Sequence, residues 1–313
     1  MTALPILIDC DPGQDDFINL LLAFASPEDV RVEAITTVGG NVPLPHTHRN
    51  ARLACDLVGR DDIAVSAGCP QPLLRPLETA EYLHGESGID GYDFDAPRLA
   101  LSTEHGVDTI VRIVRARCDE RLTLVATGPL TNVAMALKKA PDIGARIAEI
   151  VIMGGAMREG GNVTPSAEFN IAVDPHAADI VFRSGIPIAL FGLDVTHQFV
   201  MGRARRERLR AIETPAAVAV ADMLDFSVRY DESKYGTDGA PLHDPCTLLY
   251  LLAPDLFDLK RCAVGVETES VLTYGHTAVD FWGVTDRASN ALWAYAIDHE
   301  AAFELLCERI TRL

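Results

Sequence analysis

The stretch Leu4-Pro5-Ile6-Leu7-Ile8-Asp9-Cys10-Asp11-Pro12-Gly13-Gln14-Asp15-Asp16-Phe17 passes from an apolar run through four carboxylates into a second apolar-rich stretch that reaches Phe24. The run, the Pro-Gly pair and the helical spacing beyond it read as a buried strand, a tight turn and a helix start. The turn carries far more like charge than a turn needs. Left alone, such acids repel one another and their pKa values rise. A hard, oxygen-seeking cation resolves the conflict, and carboxylates with carbonyl oxygens are what calcium or magnesium takes.

Working outward, short runs of branched apolar residues recur at 5–8, 32–38, 63–67, 122–126, 150–153 and 188–191. Helical periodicity follows at 15–26, 45–59, 105–117, 130–140, 174–184 and 214–230. That alternation predicts an α/β fold, a single open, mostly parallel, doubly wound sheet flanked by helices. The Pro- and Gly-bearing stretch 68–104 reads as a long irregular active-site loop. Toward the C-terminus the pattern predicts a helix at 245–253, strands at 261–269 and 277–282, and a long final helix at 289–311. No low-complexity linker or internal repeat interrupts the chain, so one domain over 1–313 is expected.

With 313 residues, 48% of them hydrophobic and 23% charged, disordered and fibrous classes drop out. The formal net charge of -18, from 27 basic and 45 acidic residues, argues against nucleic-acid or anionic-membrane partners, which need a positive footprint. Seven widely spaced cysteines without a Cys-x-x-Cys pair fit neither a disulfide scaffold nor structural zinc. Neither a basic, apolar leader nor an apolar run of about 18 residues is present. A cytoplasmic location is therefore expected.

Polar motifs gather at the ends of the expected strands: Asp9 to Asp16, Gly39-Gly40-Asn41, Thr127-Gly128-Pro129-Leu130-Thr131-Asn132 and Gly154-Gly155. Open α/β sheets bind ligands at that edge, so topology alone makes these motifs converge. Farther on, Asn162, Glu168 and Asn170 place two amides and a carboxylate within a short segment, a donor and acceptor set suited to sugar hydroxyls. By itself that segment also reads as a solvated turn. His243-Asp244 stands just before a helix, where an isolated pair is more often a cap beside a structural histidine.

Taken together, these segments resemble the inosine-uridine preferring nucleoside hydrolase family over nearly the whole chain. The Asp9-Cys10-Asp11-Pro12-Gly13-Gln14-Asp15-Asp16 start is the most specific signature, and Thr127 to Asn132, Asn162 to Asn170, Gly192-Leu193-Asp194-Val195-Thr196 and His243-Asp244-Pro245 follow in the expected order. The resemblance implies a calcium ion held by Asp11, Asp16, the Thr127 carbonyl and Asp244, with ribose gripped by Asp15, Asn162, Glu168 and Asn170 and the shell supported by Asn41. It further implies that Asp11 is the general base of N-glycosidic hydrolysis. His243 is the candidate leaving-group acid, and His84 and Tyr235 join it as candidates for contacting the nucleobase. In the pyrimidine-preferring relatives that the chain resembles, a tyrosine and a histidine at similar spacing are implicated, so the resemblance leans toward uridine or cytidine and leaves inosine and other purine ribonucleosides open. A homotetramer or homodimer is expected from the resemblance only.

Two positions depart from the family pattern: His176 follows Asp174-Pro175 where an acid is common, and Tyr274 stands where a basic residue is usual. Trp282 is a base-stacking candidate, although a lone Trp is more often core. Other classes are weaker. A magnesium-dependent aspartyl-phosphate phosphohydrolase would use Asp9 and Asp11 but leaves Asp15 and Asp16 without a role. An EF-hand loop starting at Asp9 fails because Gln14 and Leu20 stand where Gly and Glu are required. A ribose-binding sensor that lost turnover stays open.

Overall fold

The computed structural model describes residues 3–117 and 120–313 and, of Tyr235, the backbone alone. Its strands are β1 (Leu4–Cys10), β2 (Val30–Thr37), β3 (Val65–Ala67), β4 (Leu122–Ala126), β5 (Ile147–Met153), β6 (Ile188–Phe191), β7 (Val200–Met201), β8 (Ala240–Pro241), β9 (Phe257–Val266), β10 (Thr277–Asp280) and β11 (Ala291–Ile297). Nine of them form one sheet in the order β10-β9-β11-β6-β5-β4-β1-β2-β3, and β7 with β8 forms a separate two-stranded pair. From β3 to β11 neighbouring strands run parallel, while β9 is antiparallel to both β11 and β10. The result is the mixed, mostly parallel sheet with flanking helices expected from the alternating pattern.

The apolar reading of β1 follows from its central place, since it is covered on both faces. Ile6, Ile8 and Cys10 enter one core and Leu7 the other, as a period of two requires. On one side of β1 the chain fills β2 and β3, and on the other β4, β5 and β6, so strand order reverses between β1 and β4. The crevice beyond the carboxyl ends of those two strands is the topological switch point where such sheets hold ligands. Asp11 and Thr127 lie there, one just past each strand.

Helix boundaries follow the local signals. Gln14–Phe24 begins in the acidic turn with Asp15 and Asp16 in its first turn, where the helix dipole favours negative charge. Pro215–Tyr235 starts after Thr214, whose hydroxyl accepts the Ala217 N–H, and stops at Gly236, whose φ of 67° suits a residue lacking Cβ. Between 68 and 104 the structure has the expected irregular course apart from one short helix, Glu81–His84.

The C-terminus corrects the expectation of one helix over 289–311. Ala291–Ile297 is strand β11, paired with β6 on one side and β9 on the other, and the helix begins only at His299. Trp293 is fully buried there, and Asp298 stops the strand by accepting the Ala301 N–H at 3.1 Å to cap the helix. The strand expected at 261–269 begins earlier, at Phe257, because its first residues pair with the far end of β11. Among the described residues, no helix is long and apolar enough to cross a membrane.

Candidate active site

At the switch point Asp15, Asp16 and Asp244 each bring a carboxylate oxygen to within 4.8 Å of the others. Asp15 and Asp16 come from the first turn of one helix and Asp244 from the residue preceding another. Asp11 flanks this triad. Its Oδ2 accepts the Asn41 backbone N–H at 2.6 Å, its carbonyl accepts the Asn41 side-chain amide at 3.1 Å, and its Oδ1 is buried without a hydrogen-bond partner among the described residues. The same Asn41 amide reaches Asp16 Oδ2 at 3.2 Å. Asp16 Oδ1 accepts the Thr127 hydroxyl at 2.7 Å.

Burial makes this assembly electrostatically costly. It pushes Asp16 up to about 7, with Asp15 adding repulsion and the Thr127 hydroxyl opposing it. Asp11 and Asp244 are pushed well above the usual carboxylate range, first by burial and then by their acidic neighbours. Asp9, also raised to about 7 by burial, points the other way, accepting from Thr36 at 2.6 Å and Asn132 at 2.8 Å. Its role is to tie β1 to β2 and to the helix after β4. Desolvated acids that repel one another, with one oxygen lacking any donor, suit a hard divalent cation. The residues present fit such an ion.

The backbone leaves room for this carboxylate and nothing more. A Cβ on Gly40 would overlap the Asp11 carboxyl group, and one on Gly128 would lie 2.5 Å from Asp11 Oδ1. Those glycines belong to the motifs after β2 and β4, which close on Asp11 from two sides.

Above the acids opens a cavity of about 760 Å³ lined by Asp15, Asn41, Asn162, Glu168, Asn170, His84 and His243 among others. Glu168 is buried and caps the short helix Phe169–Val173, its oxygens accepting the N–H groups of Asn170 at 2.9 Å, Gly155 at 2.8 Å and Ile171 at 3.2 Å. Burial nevertheless raises its pKa to about 7. Asn170 donates from its side chain to the Thr127 carbonyl at 2.7 Å, and Asn162 Oδ1 accepts the Phe169 N–H at 3.0 Å. The polar groups facing the cavity are thus held by backbone contacts before any ligand arrives.

Burial disfavours the charged form of both cavity histidines. It lowers His84 and pushes His243 down to about 4, although Asp15 pulls each the other way. His84 Nδ1 lies 2.6 Å from Gln14 Oε1, and His243 Nδ1 lies 2.8 Å from the Thr196 hydroxyl.

The inosine-uridine preferring nucleoside hydrolase model matches residues 6–304 of the chain. The chain belongs to that family. This nucleoside hydrolase is 47% identical over 311 residues to the pyrimidine-specific ribonucleoside hydrolase RihA of Enterobacter sp. (strain 638), covering 99% of this chain and 98% of the relative. Identity is 48% over 309 residues to RihA of Klebsiella pneumoniae, with 98% of each chain covered. Among solved structures, a purine-preferring ribonucleoside hydrolase from Gardnerella vaginalis superposes with a TM-score of 0.91 at 33% identity and covers 98% of both chains. The protein is an enzyme of the ribonucleoside hydrolase class.

Of the remaining positions singled out in the sequence, one falls elsewhere in this hydrolase and one is not described. The Tyr235 side chain lies outside the described residues. Trp282 is 73% exposed beside Phe281 and is absent from the cavity wall. The two departures from the family pattern meet each other: Tyr274 OH lies 3.1 Å from His176 Nδ1, and the Arg75 guanidinium stacks 3.3 Å from the tyrosine ring centroid. Residues that the sequence reading passed over also line the cavity, namely Gln14, Ser227, Tyr230, Asp231 and His197. Leu224, Ser227 and Asp231 share one face of the helix Pro215–Tyr235 at helical spacing, the one signal that could have placed them.

Proposed function

We propose that this hydrolase cleaves the N-glycosidic bond of pyrimidine ribonucleosides, releasing free base and ribose, and that it does so with calcium. The observation that carries this reading is the convergence of Asp15, Asp16 and Asp244, near the orphaned Asp11 Oδ1, with Asp15 and Asp244 in the cavity wall. The pyrimidine preference is supported by the two RihA relatives, pyrimidine-specific ribonucleoside hydrolases at 47% and 48% identity. A homotetramer or homodimer acting in the cytoplasm is the assembly and setting we infer.

Asp11, Asp16, Asp244 and the Thr127 carbonyl would hold the ion, with Asp15 close enough to take part or to hold a ribose hydroxyl. Bound there, calcium would supply a Lewis acid that anchors the sugar diol and makes a neighbouring water more acidic. Asp11 Oδ1 would accept the proton of the attacking water, whose oxygen bonds to C1′ as the C1′–N bond breaks and its electron pair leaves with the base. Positive charge grows on the ribose ring in that transition state. Asp15 and Glu168 answer it with negative potential, while Asn162 and Asn170 orient the hydroxyls. His243 and His84 would face the departing base, and the Asn41 contacts hold Asp11 and Asp16 in register.

A panel of inosine, adenosine, guanosine, uridine and cytidine, with base release followed directly and a chelator control, tests reaction, metal and preference together. Uridine and cytidine should be cleaved fastest, with activity lost on chelation and restored by calcium. Phosphate release from phosphomonoesters with no action on any nucleoside would replace this reading with that of a phosphohydrolase, and tight ribose binding without turnover with that of a sensor.

A further inference from the structure

The two histidines of the cavity are held by partners of opposite hydrogen-bonding character. Thr196 is fully buried, and among the described residues its hydroxyl has His243 Nδ1 as its hydrogen-bond partner. Were Nδ1 to donate, the hydroxyl proton would be stranded in the interior with nothing to receive it, which native structures avoid. The hydroxyl therefore donates, Nδ1 accepts, and the proton of the neutral ring sits on Nε2.

The opposite holds at His84. Gln14 Nε2 donates to the carbonyl oxygens of His84 at 2.9 Å and Asp90 at 3.2 Å, which fixes which end of the amide is which. Gln14 Oε1 is thereby turned to His84 Nδ1 at 2.6 Å, and an amide oxygen only accepts. Nδ1 of His84 must carry the proton, leaving Nε2 bare. Neither Nε2 is among the buried atoms without a partner, and both residues line the cavity, so both nitrogens face its open space.

We propose that Thr196 and Gln14 are positioning residues that lock the cavity histidines in opposite tautomers, so that His243 presents an N–H donor to the nucleobase and His84 a bare acceptor nitrogen. This rests on the reading that the base occupies this part of the cavity. The edge of uracil that carries O2 and N3–H, an acceptor beside a donor, satisfies both nitrogens. Cytosine presents acceptors at both places. Donation from His243 Nε2 to O2 also stabilises the charge that the leaving base takes up with the bonding electron pair.

The test uses the full-length, calcium-loaded protein labelled with 15N at histidine, with signals of residues 84 and 243 assigned from their Ala variants. Protonated and bare imidazole nitrogens have widely separated 15N shifts. The expected spectrum has His243 protonated at Nε2 and His84 at Nδ1, and the reverse state of either ring overturns the proposal. Thr196→Val, equal in shape but without a donor, should lose the fixed His243 tautomer and lower kcat on uridine about 10²-fold with KM little changed, the scale of one lost proton-transfer group. Thr196→Ser should restore most of that loss. Equal kcat in the Val variant and the wild type would contradict the role. Gln14→Met should bring the uridine-to-cytidine ratio of kcat/KM toward one, and an unchanged ratio would show that His84 does not read the base. If the wild type cleaves no ribonucleoside at all, the proposed function fails, whereas the spectra still decide the tautomers.

Discussion

Asp11 Oδ2 accepts the Asn41 backbone N–H at 2.6 Å while Asp11 Oδ1 stays buried with no donor among the described residues. One oxygen is anchored to the loop after β2 and the other is a bare, desolvated acceptor. That asymmetry suits a group that must both ligate a cation and receive a proton.

Asp11→Asn preserves the shape and removes the charge. Turnover of uridine should fall by more than the roughly 10²–10⁴-fold typical of a lost acid or base, because ligand and base disappear together. With metal chelated, the variant should melt above the chelated wild type at neutral pH, since the fold no longer has to keep a proton on a buried carboxyl that the unfolded chain would release. Steady-state kinetics and thermal melts in chelator check both halves, and near-normal turnover would remove Asp11 from the mechanism.

Stability should depend on pH in a direction set by the raised carboxylates. Burial raises Asp16 to about 7 and pushes Asp11 and Asp244 well above the usual carboxylate range in the metal-free fold, whereas an unfolded Asp ionises near roughly 4. Between those limits the unfolded chain releases protons that the folded one keeps, so the metal-free protein loses stability as pH rises through the window. A bound calcium ion would replace those protons. The rise in Tm on adding calcium should therefore be larger at pH 8 than at pH 5 by differential scanning calorimetry, and an equal rise at both would contradict the raised pKa values.

Gly40→Ala places a methyl group on the Asp11 carboxylate. The carboxylate must move, at a cost near 1–3 kcal/mol for an overpacked site, and most activity should go with it. Gly144→Ala serves as a control, because its Cβ would meet nothing nearer than 3.6 Å. Denaturant melts and uridine turnover of the pair separate a local steric effect from a general intolerance of alanine.

Substrates lacking the 2′-hydroxyl should be poor. Asp15, Asn162 and Asn170 line the cavity and are proposed to hold the ribose hydroxyls, and a site built to hydrogen-bond a hydroxyl rejects the analogue without it. Uridine and 2′-deoxyuridine compared under identical conditions give the answer, with similar kcat/KM values counting against a gripped diol.

How much of this could be read in advance depends on how local each cause is. The strand, turn and helix around Asp11 were legible because an apolar run, a Pro-Gly pair and a first-turn acid are all signals within a few residues. Ala291–Ile297 was not legible as a strand. A short alanine-bearing apolar run fits either period, and what decides it is pairing with β9 and β6, distant in sequence. Within the site, the acids at strand ends followed from topology. Which oxygens converge did not: Asn41 holds Asp11 Oδ2, and the carboxylates that come within 4.8 Å of one another are those of Asp15, Asp16 and Asp244. Thr196 stood in a motif already noticed, yet its contact with His243 depends on β6 and a later helix start meeting in space.

The central claim is that these acids hold one divalent ion. A crystal of the calcium-soaked protein, with anomalous difference density collected at a wavelength where calcium scatters, tests it most directly. The account predicts a single strong peak coordinated by Asp11, Asp16 and Asp244 at the carboxyl ends of β1 and β4. An ion bound elsewhere, or an empty acidic cluster in a protein that still cleaves uridine, would contradict it.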